Sequence, residues 1–431
     1  MRYRPIPPEL FTSNRKRLSS LLPPKAIAII NANDIPPTNA DGTSRFRQNS
    51  DLFYLSGVDQ EESILLLFPE ASDPKQREIL FLRQPNEHLK VWEGAKLERD
   101  QATALSGVAQ IHWLSEFDGM LRRLMMEAGP VFLNLNEHPR AATQVESRDL
   151  RFIRSCQHEY PLHDYRRLAP LLHQLRLVKQ PAEIELLQQA CDITRLGFLR
   201  TLSFVRPGVF EFEVEAELAH EYLRHRASGF AYEPIIATGN NACTLHYVEN
   251  HDRCEDGQLL LMDAAAQYAN YNADLTRTIP VNGRFTPRQR AVYDAVLTVM
   301  RQASELLRPG TLLADYQEQV GSIMEQQLVD LGLIDPADLA SQDPEKPLYK
   351  KYFMHGTSHH LGLDVHDVGG TYFPVAPGMV FTVEPGIYLP DEGFAVRLEN
   401  NILIGEHGNT DLMAHIPIEA EEIEQLMADT R

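Results

Sequence analysis

Charge placed inside apolar strand sequence is the feature that most restricts how this chain folds. In QLLLMDAAAQYANYNADLTRTIPV, Gln258 to Val281, Asp263 follows Leu259, Leu260, Leu261 and Met262, and Asp274 precedes Leu275, Thr276, Thr278 and Ile279. Taken as a β-hairpin with its turn centred between Tyr268 and Ala269, the stretch sets Asp263 directly opposite Asp274, both on one face. Cross-strand partners stand about 5 Å apart at their β-carbons, so two ionised groups there repel unless a cation lies between them. Arg277, the only basic residue of the stretch, is three positions past Asp274 and points to the other face. A metal ion is the economical counter-charge. Two strand-end aspartates facing solvent, or a loop that separates them, fit the same residues, and the stretch alone does not choose.

The length of 431 residues exceeds one ordinary core and implies two domains, at about 100 to 200 residues per domain. Residues 1–169 are expected to form an α/β domain and residues 170–431 a second, α+β one. A formal net charge of -19 argues against a nucleic-acid partner, which needs a basic footprint. Cys156, Cys191, Cys243 and Cys254 form no CxxC pair, so neither a disulfide framework nor a zinc-thiolate site is indicated and a reducing cytoplasm fits. MRYRPIPPELF lacks the apolar core of a signal peptide, and no run reaches the roughly 20 apolar residues that span a bilayer. A cytosolic chain without a membrane partner is expected.

In the first half, Lys25 to Asn31, Glu62 to Phe68, Glu78 to Arg83 and Val131 to Leu135 have the apolar runs of buried strands, and Ser115 stands as N-cap of a helix over EFDGMLRRLMMEAG. This half holds no catalytic cluster and suits a supporting or gating role. In the second half, Pro181 opens a long helical pattern, a second helix spans about Glu211 to Ser228, and Tyr232 to Thr238 resembles a strand. His246 follows; a lone histidine is usually structural. Thr286-Pro287 starts a helix to about Leu307, stopped by Pro309-Gly310, and another runs to about Leu333.

Four histidines lie in the twelve positions from His355 to His366, in FMHGTSHHLGLDVHDVGG, and neutral imidazole is a common metal ligand. In the following GMVFTVEPGIYLPDEGFAVRLENNILI, Glu384 ends an apolar strand and Glu399 lies within AVRLENNILI. A turn centred between Asp391 and Glu392 sets these two opposite each other, again on one face. Two facing carboxylate pairs and at least one imidazole suit a dinuclear site, with metals about 3.5 to 4 Å apart, of the kind used in metal-assisted hydrolysis. Oxygen-rich coordination with one nitrogen favours manganese, cobalt, iron or zinc over a thiolate-bound metal.

The motifs LHYVEN, MDAAAQYANYNADLTRT, HGTSHHLGLDVHD, TVEPGIY and VRLEN closely resemble the pita-bread metallopeptidases, which include aminopeptidase P, prolidase and methionine aminopeptidase. FRQNSDLFYLSG and WEG in the first half resemble the leading domain of aminopeptidase P. The resemblance implies a pita-bread (creatinase/aminopeptidase-like) catalytic domain in which Asp263, Asp274, His359, Glu384 and Glu399 bind two divalent ions, most readily Mn2+, with Co2+, Fe2+ or Zn2+ as alternatives. It implies that Asp274 and Glu399 bridge the ions, that Glu384 accepts the proton of the attacking water, and that His246, His355 and His366 bind substrate and stabilise the tetrahedral intermediate. His359 rather than His360 fits the ligand position. Arg397, two residues before Glu399, is placed to orient a ligand carboxylate. Ala265 and Asn270 stand where relatives often have glycine, which bears on the local backbone.

The activity implied is release of an N-terminal residue that precedes proline, as in Xaa-Pro aminopeptidases, with a homo-oligomer (dimer or tetramer) expected by resemblance. Prolidase, which cleaves Xaa-Pro dipeptides, is the alternative, and a non-enzymatic peptide-binding module is a third. A dipeptidase must hold a terminal carboxylate beside the metals, for which arginine is the natural bidentate partner. The loop DVGGTYFPVAP, Asp367 to Pro377, contains none, and no Lys or Arg occurs between Lys351 and Arg397. All five ligand positions are retained, which counts against a module without activity.

Overall fold

The computed structural model describes residues 2–141, 144–370 and 372–429. It divides into two compact units, Tyr3–Arg176 and Leu177–Arg431. Residue 170, the expected start of the second domain, lies inside the helix Ala169–Leu177, whose last residue opens the second unit.

The first unit is built on a sheet of strands β1 (Ile27–Asn31), β2 (Ile64–Leu67), β3 (Glu78–Leu82), β4 (Gln110–Trp113), β5 (Val131–Leu133) and β6 (Tyr165–Arg167), in the spatial order β4-β3-β2-β1-β5-β6. The four central strands are those whose apolar runs mark them in the sequence. The two edges, QIHW and YRR, carry a half-polar pattern because an edge strand buries less of its surface. Ser115 does not cap a helix. Leu114–Glu116 forms a single 3-10 turn, and the α-helix begins at Phe117 and ends at Met125. There the Glu116 carboxylate accepts the Trp113 N–H at 2.9 Å. Phe117, Met120, Leu121, Leu124 and Met125 recur at helical spacing and bury against Ile27, Ile29, Phe81 and Val131.

In the second unit, Pro181 occupies the first turn of the helix Pro181–Phe204, and the Glu183 carboxylate accepts the free Gln180 N–H at 2.9 Å. A second helix, Glu211–Arg224, follows. Thr286 and Gln289 exchange bonds of 2.9 and 3.3 Å to start the helix Pro287–Leu306, a capping box. The helix Leu313–Asp330 comes next.

The strands between these helices carry the acidic residues. β7 (Gly229–Phe230) and β8 (Ile235–Thr238) precede the first hairpin, which comprises β9 (Leu259–Asp263), β10 (Ala266–Tyr268), β11 (Tyr271–Asn272) and β12 (Thr276–Pro280). Its register pairs Asp263 with Thr276 and Tyr268 with Tyr271. The turn is therefore Ala269-Asn270, one residue later than the expected centre, and Asp263 is not directly opposite Asp274. Ala269 at φ 51° and Asn270 at φ 65° supply the two left-handed positions of a type I′ turn. The shift moves Asp274 to the diagonal, yet strand side chains alternate with period two, so both aspartates stay on one face.

The second hairpin comprises β13 (Val380–Val383), β14 (Gly386–Leu389), β15 (Phe394–Arg397) and β16 (Asn400–Leu403). Val383 pairs with Asn400 and Gly386 with Arg397, which sets Glu384 opposite Glu399 as expected. Gly393, at φ 74°, closes the loop that Pro390 opens.

Left-handed backbone costs a residue with a Cβ roughly 1 kcal/mol or more. Ala269→Gly should therefore raise the stability of the chain by a few tenths to about 1 kcal/mol, and Ala269→Val, branched at Cβ, should lower it. Urea unfolding midpoints measure both; a wild-type midpoint for both variants would show that the turn carries no strain.

Candidate metal centre

The strand pairing brings one face of three segments together. Thr357–Leu361 runs antiparallel to β13 through Glu384 N–H to Thr357 O at 2.9 Å, Thr382 N–H to His359 O at 3.0 Å and Leu361 N–H to Val380 O at 3.0 Å. His359 and Glu384 thus share a face, while His360 turns to the other, against Phe381 at 4.4 Å between ring centroids. His360 is buried with neither ring nitrogen bonded among the described residues, and burial lowers its pKa to about 3. A Cβ on Gly369 would stand 2.5 Å from the His360 ring, so only glycine fits there.

Asp274, His359 and Glu399 each offer a ligand atom, and these atoms lie within 4.8 Å of one another. His359 Nε2 is 3.5 Å from Asp274 Oδ2 and 3.4 Å from Glu384 Oε1, which places Glu384 beside the triad. The other His359 nitrogen, Nδ1, is 2.9 Å from the His360 carbonyl and so carries a proton; Nε2 faces the acids, donating to them when the ring is protonated and free to offer its lone pair to a cation that displaces that proton. Asp263 is not one of this triad. Its Oδ1 accepts from Tyr232 Oη at 2.6 Å and its Oδ2 from Arg397 Nη2 at 2.6 Å. Arg397 also donates to Thr276 Oγ1 at 3.1 Å, and Thr276 in turn donates to Glu399 Oε2 at 2.7 Å. Glu399 Oε1 is buried and has no hydrogen-bond partner among the described residues.

The electrostatics follow. Burial raises the Asp263 carboxyl above its ordinary range, partly offset by Arg397, and the Asp274 charge adds to the rise. Burial, with Asp274 and Asp263 as like charges, takes Glu384 up to about 7 despite His359. Burial and the neighbouring acids push Glu399 well above its ordinary range. For His359, burial disfavours the cation, but the bond to Asp274 and the Glu384 charge raise it to about 9. Four carboxylates share one buried face with a single guanidinium, Arg397. Protons take up the charge that a cation would otherwise balance. Arg277 does not help: it donates to the Pro417, Thr276 and Glu399 carbonyls and to Asn400 Oδ1, and to no carboxylate. An oxygen-rich cradle with one imidazole, an orphaned buried carboxylate oxygen and displaced protons fits divalent cations.

The other histidines lie around this cluster. His366 stacks on His359 with centroids 4.1 Å apart and is exposed, as is His246, in the turn after the 3-10 segment Gly239–Cys243. His355 heads a chain that sequence reasoning did not foresee. Arg397 Nη1 donates to Tyr388 Oη at 2.9 Å, Tyr388 Oη lies 2.7 Å from His355 Nε2, and His355 Nδ1 lies 2.9 Å from the Gly356 carbonyl. Because the carbonyl only accepts, Nδ1 carries the proton, and Tyr388 donates to Nε2. Both His355 nitrogens are thus engaged, and burial together with Arg397 lowers its pKa to about 4. Tyr388 is inside the TVEPGIY motif, but Tyr232 comes from a separate strand region and has no sequence signal of its own.

Comparison with known proteins gives the family and the fold. The model of metallopeptidase family M24 matches residues 185–406, and that of the aminopeptidase P N-terminal domain matches residues 11–132. The chain is 36% identical to an Xaa-Pro aminopeptidase of Haemophilus influenzae over 436 residues, covering 98% of each. It is 37% identical to the Xaa-Pro aminopeptidase of Escherichia coli, again over 98% of each. Among solved structures, zinc-substituted E. coli aminopeptidase P in complex with product superposes with a TM-score of 0.88 at 35% identity, over 99% of this chain and 100% of that one. The second unit therefore has the pita-bread fold, preceded by the N-terminal domain of aminopeptidase P.

A histidine held neutral in the fold binds a proton more readily when unfolded. With an ordinary value of 6.5 and a folded value of about 4, His355 costs nothing above pH 6.5. It lowers stability progressively from pH 6.5 down to 4, by a limit of about 3 kcal/mol. Metal-free His355→Gln should lose less stability than wild type across that window. Urea unfolding at pH 7, 5.5 and 4 measures this, and equal slopes for the two proteins would contradict a His355 held neutral in the fold.

Proposed function

The chain belongs to metallopeptidase family M24, and from that membership we infer that it releases an N-terminal residue linked to proline by metal-dependent hydrolysis. The observation that carries the reading is the under-neutralised set of Asp274, His359 and Glu399, both acids buried, whose donor atoms converge within 4.8 Å, with Glu399 Oε1 left unbonded among the described residues. Asp263, Asp274, His359, Glu384 and Glu399 would hold two divalent ions, with Asp274 and Glu399 between them. Manganese is the first choice, and cobalt, iron or zinc suit the same donors. Bound there, the ions would polarise the scissile carbonyl and acidify water.

The chain's own groups divide the remaining work. Glu384 accepts and returns the proton; its second neighbour, Thr382 Oγ1 at 3.3 Å, orients it. Arg397 fixes Asp263. His246 and His366, both exposed, face the peptide, and His355 contacts it by exchanging its bond to Tyr388 or to the Gly356 carbonyl. A cytoplasmic homo-oligomer completes the reading. The four unpaired thiols suit a reducing compartment, and the oligomer follows from the family resemblance alone.

The site also speaks to substrate length. Arg397 is committed to Asp263, Thr276 and Tyr388, and in the loop after the histidines the described residues include no Lys or Arg; Thr371 of that loop lies outside the described residues. A terminal carboxylate beside the ions would find no such partner, which favours peptides that continue beyond proline.

Purified active protein should contain two divalent ions per chain, and chelation should abolish hydrolysis; elemental analysis showing no transition metal would refute the assignment. Glu384→Gln should nearly eliminate turnover. His366→Ala should retain the ions and lose about 10² to 10³ in kcat, whereas His359→Ala should lose an ion; the reverse pattern would mean that the ligand set is wrong. Steady-state kinetics should give a much higher kcat/KM for Ala-Pro-Ala than for Ala-Pro. The opposite order would favour a prolidase.

A further inference from the structure

Asp274 and Glu399, the two carboxylates placed between the ions, come from different hairpins, so neither hairpin's own ladder sets the gap between them. The two segments meet in an antiparallel seam. At its middle, Glu399 N–H bonds to Thr276 O at 3.1 Å. On either side of that rung, side chains stand in for main chain. At one end Thr278 Oγ1 accepts from Arg397 N–H at 3.2 Å and donates to Arg397 O at 3.1 Å. At the other, Asn401 Oδ1 accepts from Asp274 N–H at 3.1 Å while Asn401 Nδ2 donates to Asp274 O at 2.7 Å. The Asn401 amide thus makes both bonds that a facing residue's main chain would make in a close antiparallel pair. It makes them at the reach of a side chain, which holds the strands further apart than a main-chain rung does.

Asn401 is fully buried and held from behind by Cys191 Sγ, 3.5 Å from its Oδ1. It follows Glu399 by two positions and shares its face, whereas Asn400 points the other way, to Arg277 and Asp411. Building on the proposed dinuclear site, we propose that Asn401 is a positioning residue: a spacer that fixes Asp274 at the distance from Glu399 which two ions require. It touches neither ion nor substrate and acts through the Asp274 backbone.

Substitution separates this from a general packing role. Asn401→Ala deletes both bonds and should weaken binding of the less tightly held ion by about 10- to 100-fold, lowering kcat at subsaturating metal with little change in KM for Ala-Pro-Ala. Asn401→Asp keeps the acceptor and loses the donor, and should fall between Asn401→Ala and wild type. Asn400→Ala removes the hydrogen bonds of another buried asparagine, on the opposite face, and should cost stability while leaving ion affinity within about threefold. Calorimetric titration of the metal-free proteins with Mn2+, and the visible absorption of their Co2+ forms, supply readouts independent of turnover. Wild-type affinity and spectrum in Asn401→Ala would overturn the proposal, as would an equal loss in Asn400→Ala. If Asn401→Ala does not fold, wild-type affinity in Asn401→Asp overturns it. Fewer than two ions bound by the wild type would instead overturn the dinuclear reading on which the proposal rests.

Discussion

Repulsion among carboxylates buried on one face is the constraint that the catalytic unit is built around. Asp263, Asp274, Glu384 and Glu399 are drawn together by strand pairing that is itself driven by burial of Leu259 to Leu261 on one hairpin and Val380, Phe381 and Val383 on the other. Each such side chain contributes about 1.5 to 3 kcal/mol when fully buried, enough in sum to hold the acids against one another. Among the described residues the fold relieves the repulsion only in part, through Arg397 at Asp263 and the His359 imidazole at Asp274 and Glu384, which leaves four carboxylates facing at most two positive charges. Arg277, wholly buried within the same hairpin, spends its donors on carbonyl oxygens and ties the two hairpins together at Thr276 and Glu399. The unmet charge is left for cations.

Arg397 divides the site into two electrostatic regions. Toward Asp263 it pairs with a carboxylate; toward Tyr388 it starts a directed chain of hydrogen bonds that ends on the Gly356 carbonyl and keeps His355 neutral. A second cation near Arg397 is thereby avoided, and the imidazole lone pair is oriented by its neighbours rather than by solvent. The adjacent histidines show the same division by strand alternation. His359 faces the acids and is drawn toward its charged form, while His360 faces Phe381 and is held neutral by burial.

Much of this was legible in the sequence because period-two alternation converts an odd separation within a hairpin into a shared face wherever the loop holds an even number of residues, as both loops here do. The turn itself was legible only where its chemistry was explicit. Pro390 and Gly393 bracket the second loop and centre it correctly. In the first, Asn270 signals left-handed backbone but Ala269 does not, and the register was placed one residue early, so that Thr276 rather than Asp274 faces Asp263. The edge strands β4 and β6 escaped notice because exposure removes the apolar run by which a strand is recognised. Tyr232 and Asn401 act on Asp263 and Asp274 across long sequence separations, and no local pattern announces such contacts.

The central claim, that the acids of two hairpins are held apart at a spacing suited to two ions, is tested most directly by anomalous diffraction from crystals of the Mn2+-loaded protein. The account predicts two manganese peaks about 3.5 to 4 Å apart, each contacted by Asp274 and by Glu399, with Asp263 on one ion and His359 and Glu384 at the site. A single peak, or two peaks of which neither lies between Asp274 and Glu399, would contradict it.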